Sequence, residues 1–185
     1  PSTHITMTNP KEVAKRREVL ISSEQIHARV EELAQEIQDD VDINNLVLVG
    51  VLNGASFFAT DLARQFNNPN IEIDFMSVSS YGEKTNSCGE PVIHCDLKNS
   101  IKGRDVVIVE DIVDTGYSMA ILLDILKARR PNSLRVCALL SKPDRREIDV
   151  PIDYVGFVIE NHWIEGYGLD TNEKCRCLRD LTRRV

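Results

Sequence analysis

Glu110, Asp111 and Asp114 stand directly after an apolar run, and Thr115, Gly116, Tyr117 and Ser118 follow them. Carboxylates so placed can accept a proton, grip sugar hydroxyls or hold waters on a metal. The residues after them can hold an anion. Gly116 lets backbone approach a phosphate or take a positive φ. Thr115 and Ser118 supply hydroxyls, and a helix opening here presents free N–H groups and the positive end of its dipole. Asp114 beside a bound phosphate is unfavourable on charge alone, so it needs another task, and accepting a proton is one. Acids at a helix start are common in themselves. Their grouping with hydroxyls and glycine just after a buried strand points to a phosphorylated ligand.

Such a loop needs rigid flanks. Val106–Val109 reads as a buried strand, and Ser118–Arg130 as a helix stopped by Pro131. Leu46–Leu52 is a continuous apolar run, as in a strand buried on both faces. Asn53-Gly54-Ala55 breaks it, and Phe57–Phe66 reads as a helix. Val19–Ile21 predicts a short strand. Ser22 or Ser23 then caps a helix with Ile26, Val30, Leu33, Ala34 and Ile37 on one face. Ile71–Val78, Leu134–Leu140 and Tyr154–Ile159 predict further strands. Ser79–Lys98 is polar, carries Gly82, Gly89 and Pro91, and reads as a long loop or hairpin of the kind used as a lid. Pro1–Lys15 reads as a loose arm and Cys175–Val185 as a basic surface tail. The order of elements predicts an α/β fold: a mostly parallel twisted sheet flanked by helices.

The chain has 185 residues with 42% apolar content, which suits one domain with a proper core. A net charge of −7 argues against nucleic-acid binding through a broad basic surface. It leaves room for an anionic small substrate in a locally positive pocket, or one bound through Mg²⁺. Cys88, Cys95, Cys137, Cys175 and Cys177 are odd in number and irregular in spacing. Free thiols of a reducing cytosol fit them better than a disulfide framework, and Cys175-x-Cys177 lacks the second pair of a zinc site. His4, His27, His94 and His162 form no ligand-spaced pair. A secretory h-region and a membrane-length apolar run are absent from the sequence, so a cytoplasmic protein without membrane contact is expected. Neither Gly-x-x-x-x-Gly-Lys-Ser/Thr nor Gly-x-Gly-x-x-Gly occurs.

Val107-Ile108-Val109-Glu110-Asp111-Ile112-Val113-Asp114-Thr115-Gly116 resembles the phosphoribosyl-pyrophosphate (PRPP) signature of type I phosphoribosyltransferases, and most of all that of the hypoxanthine-guanine phosphoribosyltransferase family. The resemblance runs from about Val19 to Arg176, with several motifs agreeing in order. It implies that Glu110 and Asp111 face the ribose hydroxyls of PRPP and that Asp114 is the general base near purine N7. Thr115, Gly116, Tyr117 and Ser118 would hold the 5′-phosphate, with Asn53 and Gly54 in the pyrophosphate loop. Ser80 and Tyr81 match the lid pair. Lys142 matches a lysine that contacts purine O6, Trp163 stands where an aromatic stacks on the base, and Ile164 would offer backbone groups to the 2-position edge. Asp170 matches a metal-binding aspartate, joining Glu110 and Asp111 around Mg²⁺, and Arg176 an arginine that contacts pyrophosphate.

Three positions depart from the family pattern. Asn53 replaces a lysine or arginine, Tyr117 replaces a residue that is often lysine or asparagine, and the ending after Arg176 differs. Taken singly, these residues also have ordinary explanations: Lys142 as a solvated loop lysine, Trp163 as core, Asp170 as a cap and Arg176 as one of several tail cations. The resemblance implies transfer of the phosphoribosyl group to hypoxanthine or guanine in a purine-salvage enzyme, with no nucleic-acid partner. It also implies a homodimer or homotetramer. A single domain is expected over residues 1–185, with a core over about 40–160 and a hood from about 1–25 and 160–185. The alternatives are another base (xanthine, orotate or adenine) or a PRPP- or nucleotide-sensing regulator on the same fold. Lys142 and Trp163 favour a 6-oxopurine, and the ranking of hypoxanthine, guanine and xanthine stays open.

Overall fold

The computed structural model describes residues 17–80 and 90–185. Tyr81, Cys88 and the Pro1–Lys15 arm lie outside them. The chain starts with β1 (Arg17–Ile21) and α1 (Ser23–Asp40). Ser22 caps α1 reciprocally: its hydroxyl accepts from Gln25 N–H at 3.2 Å, and Gln25 Oε1 accepts from Ser22 N–H at 2.9 Å. The apolar face read from the spacing, Ile26 to Ile37, is the face that α1 buries. Then come β2 (Leu46–Val51), α2 (Ser56–Phe66), β3 (Glu72–Ser80), β4 (Pro91–Cys95) and β5 (Asp105–Val113). The chain continues through α3 (Tyr117–Lys127), β6 (Ser133–Ser141), β7 (Tyr154–Val158), β8 (Ile164–Glu165) and β9 (Leu181–Arg184).

The main sheet has six strands in the order β4-β3-β2-β5-β6-β7. All pairs are parallel except the edge pair β3–β4. Residues alternate between two apolar layers. Leu46 and Leu48 of β2 and Val107 and Val109 of β5 join α1 and α2 on one face. Val47, Val49, Val106 and Ile108 meet α3 on the other. That two-sided burial is why β2 and β5 read as unbroken apolar runs. Each fully buried Val or Leu contributes about 1.5–3 kcal/mol. From β2 the chain crosses outward to β3; from β5 it crosses the opposite way to β6. The loops after β2 and β5 therefore flank the point where strand order reverses, the crevice where α/β sheets bind ligands.

The stretch expected to be a long loop or hairpin holds the second arm of a hairpin: β4 pairs antiparallel with β3. Two other expectations need correction. The acids Glu110 and Asp111 lie within β5, which runs four residues beyond Val109 to Val113. The basic tail is not merely laid on the surface. Leu181–Arg184 forms β9, the middle strand of a three-stranded antiparallel sheet ordered β1-β9-β8. Leu181 is buried, and the Thr182 hydroxyl donates to the Glu165 carbonyl at 3.2 Å. Arg183 and Arg184 point to acids rather than into bulk water: Arg183 pairs with Glu18 at 2.8 Å and Arg184 with Glu165 at 3.4 Å.

Candidate active site

The loop after β5 is tied down from behind. Arg146 donates to the Asp114 carbonyl at 3.0 Å and to the Ser141 hydroxyl at 3.0 Å, bridging the ends of β5 and β6. The Thr115 carbonyl accepts from Glu147 N–H and Ile148 N–H at 2.9 and 3.0 Å. Gly116 has φ 96°, and a Cβ there would stand 2.5 Å from the Ile148 carbonyl, so only glycine fits this turn. With the carbonyls turned back, the N–H groups of Thr115 to Met119 find no acceptor among the described residues. Thr115, Gly116, Ser118 and Met119 line a cleft of about 80 Å³ with Glu110 and Asp114. Its size and donors suit a phosphate. Tyr117 is exposed, and its hydroxyl faces the Glu147 carboxylate, which raises the phenol pKa.

Beside this cradle lies a cavity of about 400 Å³ between the end of β5 and the chain around β8. Asp111, Asp114, Lys142, Trp163, Ile164 and Asp170 all line it, so residues spread over 60 positions of sequence meet in one place. Lys142 is buried, and its ammonium donates to the His162 carbonyl at 2.7 Å. Burial lowers its pKa, and the charge of Asp114 opposes the shift. Lys142 is therefore no solvated loop lysine. Trp163 is 63% exposed, which excludes the core role and leaves a ring face open to the cavity mouth. Ile164 buries its side chain, so only its backbone can serve a ligand. Asp170 accepts from Glu173 N–H at 2.8 Å and pairs with Arg176 at 3.5 Å.

Burial pushes the Glu110 carboxyl well above the usual carboxylate range, and the neighbouring Asp111 charge pushes it further. Burial raises Asp111 too, against the pull of hydrogen bonds and of the Arg176 guanidinium. Buried Glu110 and half-buried Asp111 beside it thus resist holding two negative charges unless a cation or hydroxyl donors arrive. Asp111 is joined by the loop after β2. Asn53 and Gly54 N–H groups have no acceptor among the described residues, and the Leu52–Asn53 peptide is cis. The Arg176 guanidinium donates to the Gly168 carbonyl at 2.7 Å beside this loop. Ser80 ends β3, opposite Pro91, at the base of the segment that contains Tyr81.

Arg145 escaped notice in the sequence. Its Nε donates to Asp114 Oδ1 at 3.0 Å, and it lines the larger cavity. The signal was the spacing: Lys142-Pro143 opens a short 3-10 turn that brings Arg145 back over the loop. Among the described residues no group of three Asp, Glu, His or Cys side chains converges as a metal cage. Asp111 and Asp170 nevertheless line the same cavity.

Comparison with known proteins agrees with this geometry. The family model of the phosphoribosyl transferase domain matches residues 22–172. A hypoxanthine phosphoribosyltransferase of Haemophilus influenzae is 46% identical over 87% of this chain and 91% of its own. A hypoxanthine-guanine phosphoribosyltransferase of Mycobacterium avium is 47% identical over 96% of this chain and 91% of its own. Among solved structures, a hypoxanthine phosphoribosyltransferase from Staphylococcus aureus superposes with TM-score 0.86 at 37% identity, covering 97% of this chain and 96% of that one. The six-stranded, mostly parallel sheet, the phosphate-sized cradle after β5 and these relatives lead to one conclusion: the chain belongs to the phosphoribosyltransferase family, in its hypoxanthine-guanine branch.

Proposed function

We propose that the protein transfers the 5-phosphoribosyl group of PRPP to hypoxanthine or guanine, releasing pyrophosphate, in purine salvage. The observation that carries this is the meeting of Asp114, Lys142 and Trp163 around the cavity that adjoins the phosphate cradle. The 5′-phosphate would sit on the free N–H groups of Thr115 to Ser118. The ribose would face Glu110 and Asp111, and the base would fill the larger cavity. Lys142 would donate to the 6-oxo group and disfavour a 6-amino base. Trp163 would supply a stacking face.

The reaction breaks the bond from ribose C1 to the pyrophosphate oxygen and forms one from C1 to purine N9. The purine gives up a proton from N7, and Asp114 would receive it. For that, Arg145 must yield its hydrogen bond to the Asp114 carboxylate. Positive charge developing on the ribose is favoured by the Glu110–Asp111 pair, and charge on the departing pyrophosphate by the N–H groups of Asn53 and Gly54 and by Arg176. The Glu110–Asp111 pair would suit a hard dication with oxygen ligands, its shell completed by Asp170, substrate oxygens or water. Mg²⁺ bound there would neutralise charge on PRPP and its leaving group. Closure of a lid carrying Ser80 and Tyr81 would exclude water.

The test is PRPP turnover with and without Mg²⁺, offering hypoxanthine, guanine, xanthine, adenine and orotate separately. Turnover with hypoxanthine or guanine is expected. Activity confined to adenine or orotate would refute the assignment of the base.

A further inference from the structure

Trp163 is the only tryptophan of the chain and one of its most exposed large side chains. Its indole is nevertheless held. Trp163 Nε1 donates to Thr171 Oγ1 at 2.7 Å, and the Thr171 hydroxyl donates to Glu165 Oε2 at 2.7 Å. Glu165 is fully buried, and its other oxygen accepts from Arg17 Nε at 2.6 Å and Arg184 Nε at 3.4 Å. Thr171 itself is fixed by paired backbone hydrogen bonds with Lys174 at 3.0 and 3.1 Å.

The direction of this chain of bonds is determined. A hydroxyl has one proton. Burial alone would raise the Glu165 carboxyl, but the bonds from Thr171 and Arg17 outweigh it and hold the group below its usual range, as an acceptor. The Thr171 proton is thus committed to Glu165, and its lone pair faces the indole. An exposed ring without such a tether samples several rotamers, and ordering it on binding costs affinity.

We propose that Thr171, backed by Glu165, is a positioning residue that holds the Trp163 ring ready as the stacking wall of the purine pocket. The tether also consumes the indole N–H, so the ring offers the base only its π face. The inference rests on the purine lying against Trp163.

The test uses the full chain, whose single tryptophan is its own probe. Thr171→Val should speed the local rotation of the indole in time-resolved fluorescence anisotropy and raise the purine KM about fivefold, the scale of one lost hydrogen bond. PRPP KM and kcat at saturating purine should move less than about twofold. Thr171→Ser, which keeps the hydroxyl, should restore both readouts. Unchanged indole rotation in Thr171→Val, or no rescue by serine, overturns the tether. The link is also cut from the indole side by Trp163→Phe; in that background Thr171→Val should add nothing to the purine KM, and an additive rise counts against the proposal. Trp163→Ala with an unchanged purine KM overturns the placement of the base instead, and the anisotropy then decides the tether alone.

Discussion

The carboxylate of Asp111 occupies the space that a side chain on Gly54 would need. A Cβ built on Gly54 would overlap Asp111 Oδ2 and stand 2.8 Å from its Cγ. On the far side, the Gly54 carbonyl lies where a Cβ on Gly168 would go, and Gly168 has φ 96°. The loop after β2 is thus clamped between an acid of β5 and the turn after β8. Parts of the site assigned to ribose and pyrophosphate are positioned as one unit, and glycine is what permits the close approach.

Gly54→Ala should therefore damage the PRPP side before the purine side. The methyl group must displace either the Asp111 carboxylate or the loop, and both are backed by packed structure. We expect kcat/KM for PRPP to fall at least about tenfold, since displacing a positioned group by an ångström can cost about a hundredfold. Purine affinity, measured by equilibrium titration, should change far less. Equal losses for both substrates would show that the clamp does not separate the two halves of the site.

Asp114→Asn keeps shape and removes the proton acceptor. The expected result is a fall in kcat of about 10²–10⁴-fold, the range for a lost general base. PRPP binding by calorimetry should persist, because the proposed phosphate contacts are to backbone N–H groups of a loop whose carbonyls are tied elsewhere. Turnover comparable to the parent chain would refute Asp114 as the base.

How far these features could be read in advance depended on the range over which they are encoded. The runs in β2 and β5, the buried face of α1 and the Thr115–Ser118 cradle are local patterns, visible because both faces of each strand are apolar or because a cap and a glycine recur at set offsets. β9 escaped because its pairing with β1 joins residues at opposite ends of the chain, Arg17 with Arg184, and its arginines hide a short alternation. β8 has two residues and leaves no periodic trace. Arg145 and Thr171 gain meaning only from partners, Asp114 and Trp163, that the fold brings to them. Lys142 and Trp163 each had an ordinary reading, and burial of one and exposure of the other decide against it.

The Glu110–Asp111 pair sets a pH dependence with a definite sign. A carboxyl raised on folding holds its proton more tightly in the folded state. Its contribution to stability is full below the ordinary carboxylate range and is lost as pH climbs through the raised value. At pH 8 the pair is therefore a burden on the unliganded protein. Glu110→Gln should raise Tm at pH 8 by about 3 °C for each kcal/mol relieved, change it little at pH 4.5, and weaken Mg²⁺-dependent PRPP binding. Melting curves at the two pH values and a PRPP titration check all three. A lower Tm at pH 8 would mean that the pair stabilises the empty site.

Asn53 stands where the family has a cation, and the structure shows what its side chain does. It is exposed and makes no hydrogen bond among the described residues; only its carbonyl is engaged, by Ser56 N–H at 3.1 Å and the Ser56 hydroxyl at 2.8 Å. Asn53→Lys should leave the loop intact and add a charge at its rim. Exposed charges interact by about 0.2–1 kcal/mol, so pyrophosphate should bind up to about fivefold more tightly, with kcat within about twofold. The gain should shrink on raising salt from about 0.05 to 0.3 M, as the added charge is screened. Product-inhibition constants at both salt concentrations measure it. A gain indifferent to salt would point to a buried contact, and complete loss of activity would mean that the Asn53 amide itself holds substrate.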